Sequence, residues 1–211
     1  MLANATVADI LRPCEKRYAL VYDLALIIGG SLLIAVSAQI AIGFPVPITG
    51  QTFAVLMIAA LLGSRRGVAC VLTYLAEGAA GLPVFAQGKA GPVTFAGPTG
   101  GYLVGFVVAA FVVGLLAEKG WDRRFGTTVL AMIIGNIIIY VFGLTWLALS
   151  TWLAIRTGPK VALATGLYQF IPGDILKTVL AAVLLPSAWK LLAPSKPADP
   201  ESQSHTCPPQ T

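Results

Sequence analysis

The chain has 211 residues, of which 57% are hydrophobic and only 11% charged, with a net charge of +5 and a mean hydropathy of +0.83. Soluble domains carry about 25% charged residues, so an ordinary soluble enzyme is excluded and an all-α integral membrane protein is expected. The basic residues lie in short segments between apolar runs, which makes the lipid bilayer the expected partner and argues against nucleic acid. Three cysteines, Cys14, Cys70 and Cys207, show neither metal-ligand spacing nor an even count, so neither a metal site nor a disulfide framework is expected.

In chain order, residues 1–19 form a polar cytoplasmic segment whose Arg12, Lys16 and Arg17 flank the first apolar run. That run, 19–44, is too long for a cleaved signal core of 7 to 15 residues and reads as membrane helix 1. Within it Gly30, Ser31, Ala35 and Ala38 make a small-residue stripe at spacings of three and four, which permits close helix approach, equally by ordinary packing within the chain or by a partner. Two prolines and a glycine between 43 and 50 end the helix. Helix 2 is expected over 51–62, a tight basic turn over 63–67, and helix 3 over 68–80, carrying Tyr74 and Glu77 near its far end. Residues 81–101 form a long glycine-rich connection of the kind that serves as a lid or binding loop. Helix 4 (102–117), a charged cluster, helix 5 (127–149) and helix 6 (172–192) follow, with an additional short helix over 160–170. The tail 193–211 is rich in Pro, Ser and Gln, lacks an apolar pattern and is expected to be disordered and cytoplasmic, which leaves 20–192 as one six-helix membrane domain.

The most informative stretch is Ile171-Pro172-Gly173-Asp174-Ile175-Leu176-Lys177. It puts an acid and a base into an otherwise lipid-buried helix, where an ionised side chain costs roughly 2.5–3.5 kcal/mol and needs a cavity, a partner or a substrate. The three-residue spacing brings Asp174 and Lys177 to one helix face. Pro172 suits a first helical turn, so Asp174 is expected near a helix N-terminus, where the backbone dipole favours negative charge. The same two residues could instead form a self-neutralising structural pair.

Six helices put both termini on one side. With that side cytoplasmic, ten basic residues fall inside (Arg12, Lys16, Arg17, Arg65, Arg66, Lys119, Arg123, Arg124, Lys190 and Lys196) and three outside (Lys89, Arg156 and Lys160). This is a strong positive-inside bias. The topology collects residues 45–51, Glu77, the 81–101 loop and Asp174 at the outer half, where two loops would close a pocket for a small amphipathic molecule. No Gly-x-Ser-x-Gly, His-Glu-x-x-His or phosphate-loop motif occurs, and the one histidine, His205, lies in the tail. Catalysis is therefore not expected, and any ATP hydrolysis would belong to a partner. A self-sufficient or ion-coupled secondary transporter of a small amphipathic carboxylate remains an alternative, with Glu77, Asp174 and Lys177 as a candidate relay.

Five segments in order carry a family resemblance: Val-Pro-Ile-Thr-Gly-Gln-Thr (46–52), Gly-Leu-Pro-Val-Phe-Ala (81–86), Gly-Pro-Thr-Gly-Gly-Tyr-Leu-Val-Gly-Phe (97–106), Tyr-Val-Phe-Gly-Leu-Thr-Trp-Leu-Ala (140–148) and Ile-Pro-Gly-Asp-Ile-Leu-Lys (171–177). Together they resemble the BioY family, the biotin-specific substrate-binding (S) components of energy-coupling-factor (ECF) transporters. The resemblance implies six membrane helices in a bacterial cytoplasmic membrane and a biotin site near the outer surface. It also implies uptake powered by a transmembrane coupling protein and two ATP-binding-cassette ATPases, with no cofactor resident in this chain. Carried over by motif, Asp174 and Lys177 would be the principal site residues, with Gln51, Thr99 and Tyr102 closing the site. Tyr74, Glu77, Tyr140 and Trp146 are further candidates. Ser31 and Ala35 would meet the coupling protein, serine standing where the family's small-residue motif usually has alanine. Association of like copies is one further partner class that this reading admits.

Overall fold

A computed structural model describes residues 5–13, 15–42, 46–149 and 163–192. The described elements in order are α1 (Val7–Ile10), α2 (Lys16–Gln39), β1 (Ala41–Ile42), β2 (Ile48–Thr49), α3 (Gln51–Ala79), α4 (Val93–Ala96), α5 (Gly100–Glu118), α6 (Phe125–Leu149) and α7 (Ile171–Leu192). Short 3-10 turns stand at Ala86–Gly88 and Trp121–Arg123, and a π-helical turn at Ala164–Tyr168. Among the described residues, five helical stretches are long and apolar enough to cross a membrane: α2, α3, α5, α6 and Gly166–Leu192. The expected tail, and 160–162 of the expected short helix, lie outside the described residues.

The longest of these stretches is folded back on itself. In a straight helix Gln51 and Tyr74 would stand about 34 Å apart at 1.5 Å per residue, yet the Gln51 amide donates to the Tyr74 hydroxyl. Ala59 and Gly67 approach so closely that a Cβ on Gly67 would lie 2.9 Å from the Ala59 Cα. The reversal is at Gly63, whose φ of 83° and ψ of 178° are essentially restricted to glycine. The expected turn thus contracts to one residue between legs 51–62 and 64–79. Glu118 closes it from α5: its Oε1 accepts the Ser64 N–H and Oγ–H, both at 2.8 Å, and so caps the second leg's N-terminus.

Helices α3 and α5 form the buried centre, and α2, α6 and α7 surround them. The outer helices expose Leu20, Leu32, Leu33 and Val36 on α2, Ile137 and Val141 on α6, and Ile175, Leu176 and Val183 on α7. Such a continuous apolar exterior is what acyl chains solvate. Helix α2 ends at Gln39, earlier than the composition suggests, because Ile40 leaves helical geometry (ψ 84°) and Ala41–Ile42 pair antiparallel with Ile48–Thr49.

The Gly63 end of the bundle is the ionic end. Arg66 donates to Asp9 (2.7 Å) and Asp23 (2.8 Å), and Arg12 donates to Asp23 (2.7 Å). Burial pushes the Asp9 carboxyl up, but bonds from Thr6 and Arg66 outweigh it and hold the group below the usual range. Trp189 of α7 donates to Asp122, and the Arg123 guanidinium lies 4.4 Å from the Trp189 ring centre. These contacts fasten α1 and the end of α7 across the base of the bundle.

A Cβ at Gly63 would meet Glu118 Oε1 at 2.9 Å and Thr6 Cγ2 at 3.0 Å, in a backbone region that costs other residues about 1–3 kcal/mol. Gly63→Ala should therefore lower thermal stability in detergent by at least that amount. Gly126→Ala, where nothing lies within 4 Å of the new methyl group, should leave it unchanged or slightly raised.

Candidate functional site

At the other end of the bundle, α3 begins and its second leg finishes side by side. Gln51 is 5% exposed and Tyr74 fully buried, and their hydrogen bond ties the two legs together. The Gln51 N–H donates to Thr49 Oγ1 at 3.3 Å, which sets the entry of β2 into α3. Tyr74 meets Phe85 edge to face at 5.5 Å, and Phe85 meets Phe95 in the same way at 5.6 Å. Gly78 makes room for the plug, since a Cβ there would fall 2.1 Å from the Phe85 ring. The loop 80–99 is further fastened by Gly91 N–H to Gly78 O (2.8 Å) and by Gln39 Nε2 on the carbonyls of Pro83, Val84 and Phe85.

Helix α5 supplies the opposite wall, with Phe170, and α6 backs it. The Tyr102 hydroxyl donates to Gly166 O at 2.9 Å, and its ring lies over Gly143 of α6, where a Cβ would collide at 2.4 Å. Phe170 packs between Tyr102 (6.4 Å between ring centres) and Tyr140 (6.2 Å). Trp146 donates from Nε1 to Gly97 O at 2.9 Å and covers Gly101.

These elements enclose a cavity of about 50 Å³ lined by Thr49, Gln51, Thr52, Phe85, Thr99 and Tyr102, among others. That is room for roughly three waters, well short of the ~300 Å³ of a pocket occupied by a drug-sized ligand. Behind its wall stands the expected ion pair. Lys177 Nζ donates to Thr49 O (2.8 Å), Thr52 Oγ1 (2.9 Å) and Asp174 Oδ1 (3.3 Å). Asp174, 8% exposed and in the first turn of α7, accepts from the Tyr140 hydroxyl as well. Its other side borders a hollow of about 540 Å³ between α6 and α7, where Asn136, Tyr140 and Thr178 are set among Ile133, Ile137 and Ile175.

The structure sorts the expected site residues by distance from the cavity. Gln51, Thr99 and Tyr102 line it, while Lys177 reaches two of its lining residues. Tyr74 and Tyr140 stand one contact behind, against Gln51 and Phe170, and Asp174 two contacts behind, as the partner of Lys177. Trp146 braces the Gly97 turn and does not line the cavity. Glu77 is not in the lining either: the Ser31 hydroxyl donates to it at 2.9 Å across the α2–α3 interface. Ser31 and Ala35 take the intrachain side of the stripe's two readings rather than the partner-facing role that the resemblance implies: Ser31 is fully buried and Ala35 is 7% exposed against the core. The stripe turns inward because Gly30 beside it receives Cys70 of α3, whose Sγ would lie 2.6 Å from a Cβ there.

Sequence reasoning did not nominate Thr49, Thr52, Phe85, Lys89, Phe106 or Phe170, all of which line the cavity. Thr49, Thr52, Phe85 and Phe106 fall inside the quoted motifs, and Phe170 immediately precedes one. The signal was present, but which of these side chains turn inward is decided by the hairpin, the π-helical turn and the loop path.

A small cavity of mostly apolar lining with a few polar groups, at one end of a lipid-facing helical bundle with an ionic network at the other, fits a multi-pass membrane transporter. The comparisons agree. Residues 9–194 match the BioY family. The chain is 41% identical over 153 residues to the biotin transporter BioY of Rhizobium etli (69% of this chain, 79% of that protein). It is also 41% identical over 153 residues to the biotin transporter BioY of Thermotoga maritima (72% and 86%). A crystal structure of the S-component for biotin from an ECF-type ABC transporter superimposes with a TM-score of 0.69 at 28% identity, covering 84% of this chain and 95% of that one. The chain belongs to the BioY family.

Because Phe85 can seat only against a bare Gly78, Gly78→Leu should eject the plug and release the 80–99 loop. Trypsin cleavage after Lys89 of the folded, detergent-solubilised protein should then accelerate at least tenfold over the native chain, with α-helical circular dichroism retained.

Proposed function

We propose that this chain is the biotin-binding S component of an ECF transporter, which takes biotin into an outward-facing site and delivers it across a bacterial cytoplasmic membrane. The observation that carries the reading is the Lys177–Asp174 pair, fixed by Thr49, Thr52 and Tyr140 just behind the wall of a small, partly covered cavity. Biotin offers a fused ureido ring and a carboxylate on an aliphatic chain. An ammonium, a carboxylate and several hydroxyl and amide groups among aromatic rings suit that mixture of polar and apolar surface.

Counting the two legs of α3 separately, the chain crosses the membrane six times. With the ionic Gly63 end in the cytoplasm, both termini lie inside and the cavity opens outward, in keeping with the positive-inside bias. Energy comes from a coupling protein and its ATPases, for which this chain carries no phosphate-loop motif. The chain performs no chemistry on biotin and needs no resident cofactor. With Ser31 and Ala35 turned inward, the coupling-protein contact on α2 falls instead to Ala25 and Gly29. Both are exposed, stand four residues apart, and have open space beyond Gly29. A self-sufficient ion-coupled carrier is less well supported, because Glu77, one of its three candidate relay groups, is engaged by Ser31 and does not line the cavity.

Calorimetry on the detergent-solubilised chain should give stoichiometric, tight biotin binding that weakens at least tenfold, about 1.4 kcal/mol, in Asp174→Asn and in Lys177→Met. A folded native chain that binds no biotin contradicts the reading. Gly29→Leu should bind biotin like the native chain yet no longer co-purify with the coupling protein and ATPases. Undiminished co-purification would remove α2's exposed small-residue face from that contact.

A further inference from the structure

The two segments that cover the cavity are held in different ways. The 80–99 loop is locked by the Phe85 plug, by its backbone bond to Gly78 and by the Trp146 brace on Gly97. The segment 46–49 places Val46, Pro47 and Thr49 on the cavity and is tied to the far wall through two backbone carbonyls. Gln169 Nε2 donates to Val46 O at 2.7 Å, and Lys177 Nζ donates to Thr49 O at 2.8 Å. Both donors belong to one short stretch, 169–177, which also contains Phe170 of the cavity wall and Asp174.

A cavity of about 50 Å³ holds waters but no vitamin-sized molecule, so one of its covers must move for a ligand to enter. Displacing the 80–99 loop would draw Phe85, 2% exposed, out of its aromatic seat. Displacing 46–49 uncovers a smaller side chain, Val46 (3% exposed), strains the two-residue pairing with Ala41–Ile42, and breaks hydrogen bonds whose carbonyls and donors can pair with water or ligand at a net cost of about 0.5–1.5 kcal/mol each. The two bonds also differ in what a ligand does to them. The three ammonium protons of Lys177 are matched by Thr49 O, Thr52 Oγ1 and Asp174, so any ligand contact to Lys177 displaces one of these. Gln169 does not line the cavity, and its hold on Val46 does not compete with a ligand in that way.

We propose that Gln169 is the latch of a lid formed by residues 46–49. Its amide closes the segment over an occupied cavity and sets how fast ligand enters and leaves. This deepens the biotin-binding reading, on which the identity of the ligand rests, while lid opening can be read without any ligand. Gln169 acts as a positioning residue, through Val46 and not through the ligand.

The test uses Pro47→Cys on the lid, in the full-length chain with Cys14, Cys70 and Cys207 replaced by alanine. In detergent and without ligand, Gln169→Ala should raise the rate of labelling of that cysteine by a water-soluble maleimide at least fivefold. Gln169→Lys, which restores an N–H donor of similar reach, should bring the rate back toward native. On the otherwise native chain, Gln169→Ala should raise both the association and the dissociation rate of biotin at least fivefold. Labelling at the native rate in a folded Gln169→Ala chain overturns the latch. So does faster dissociation with association unchanged, which would make Gln169 a ligand contact. If the native chain binds no biotin, the proposed ligand fails while the labelling rates still decide the latch.

Discussion

The arrangement turns on one ammonium group. Lys177 lies inside a helix that is apolar on its other faces, where an unpaired charge costs several kcal/mol. It satisfies its three donors on a backbone carbonyl, a hydroxyl and a carboxylate that come from β2, the start of α3 and α7. One charge therefore draws together the lid segment, the helix carrying Gln51 and the helix carrying Asp174. A cation whose partners can be exchanged for those of an incoming polar molecule is stable when the site is empty and becomes available when it is filled. Asp174 is steadied by Tyr140 from α6, so the acid keeps a partner even when Lys177 turns toward a ligand. Removing either member of a buried pair leaves the other uncompensated, which is why such pairs are sensitive to substitution even where their net contribution to folding is small.

The backbone devices that allow this are glycines at close approaches. Gly63 reverses α3 in one residue, which brings Gln51 against Tyr74 and places both at the cavity end, while Glu118 takes up the N–H and hydroxyl exposed by the turn. Gly114 of α5 lets that helix touch the turn, since a Cβ there would lie 2.4 Å from the Ser64 nitrogen. Gly78 and Gly143 accept the rings of Phe85 and Tyr102. In a bilayer, where apolar burial offers little drive between helices, such contacts are made by packing and hydrogen bonds, and small residues let both come close. The buried centre of α3 and α5 carries the cavity floor, and the 46–49 segment and the 80–99 loop form its covers.

Much of this was legible in the sequence. The apolar runs gave the helices, because long uncharged stretches broken by glycine, proline and basic turns have few other solutions. The Asp174–Lys177 spacing identified the ion pair, and Pro172 its place in a first helical turn. Gln51, Thr99 and Tyr102 were nominated through motifs and do line the cavity. What failed to be legible was direction. In a helix apolar on all sides, periodicity does not distinguish the lipid face from the core face, so the sequence leaves open whether Ser31 and Ala35 meet a partner or the core, and Cys70 packing against Gly30 turns that stripe inward. Glu77 was placed near the pocket by its position along the helix, but its azimuth delivers it to Ser31. The early end of α2 depends on a two-residue ladder whose partner strand, Ile48–Thr49, comes later in the chain, which no local pattern announces. Phe170 precedes its motif by one residue, and its role arises only because the π-helical turn before it carries Gly166 O to Tyr102.

If the Lys177-centred cluster holds biotin, a structure of this chain with biotin bound shows it directly. Ligand density is expected in an enlarged cavity between Thr52 and Thr99, with a polar atom of biotin within hydrogen-bond distance of Lys177 Nζ and the 80–99 loop still seated by Phe85. Density in the hollow between α6 and α7, or within the cavity but out of reach of both Lys177 and Asp174, would contradict it.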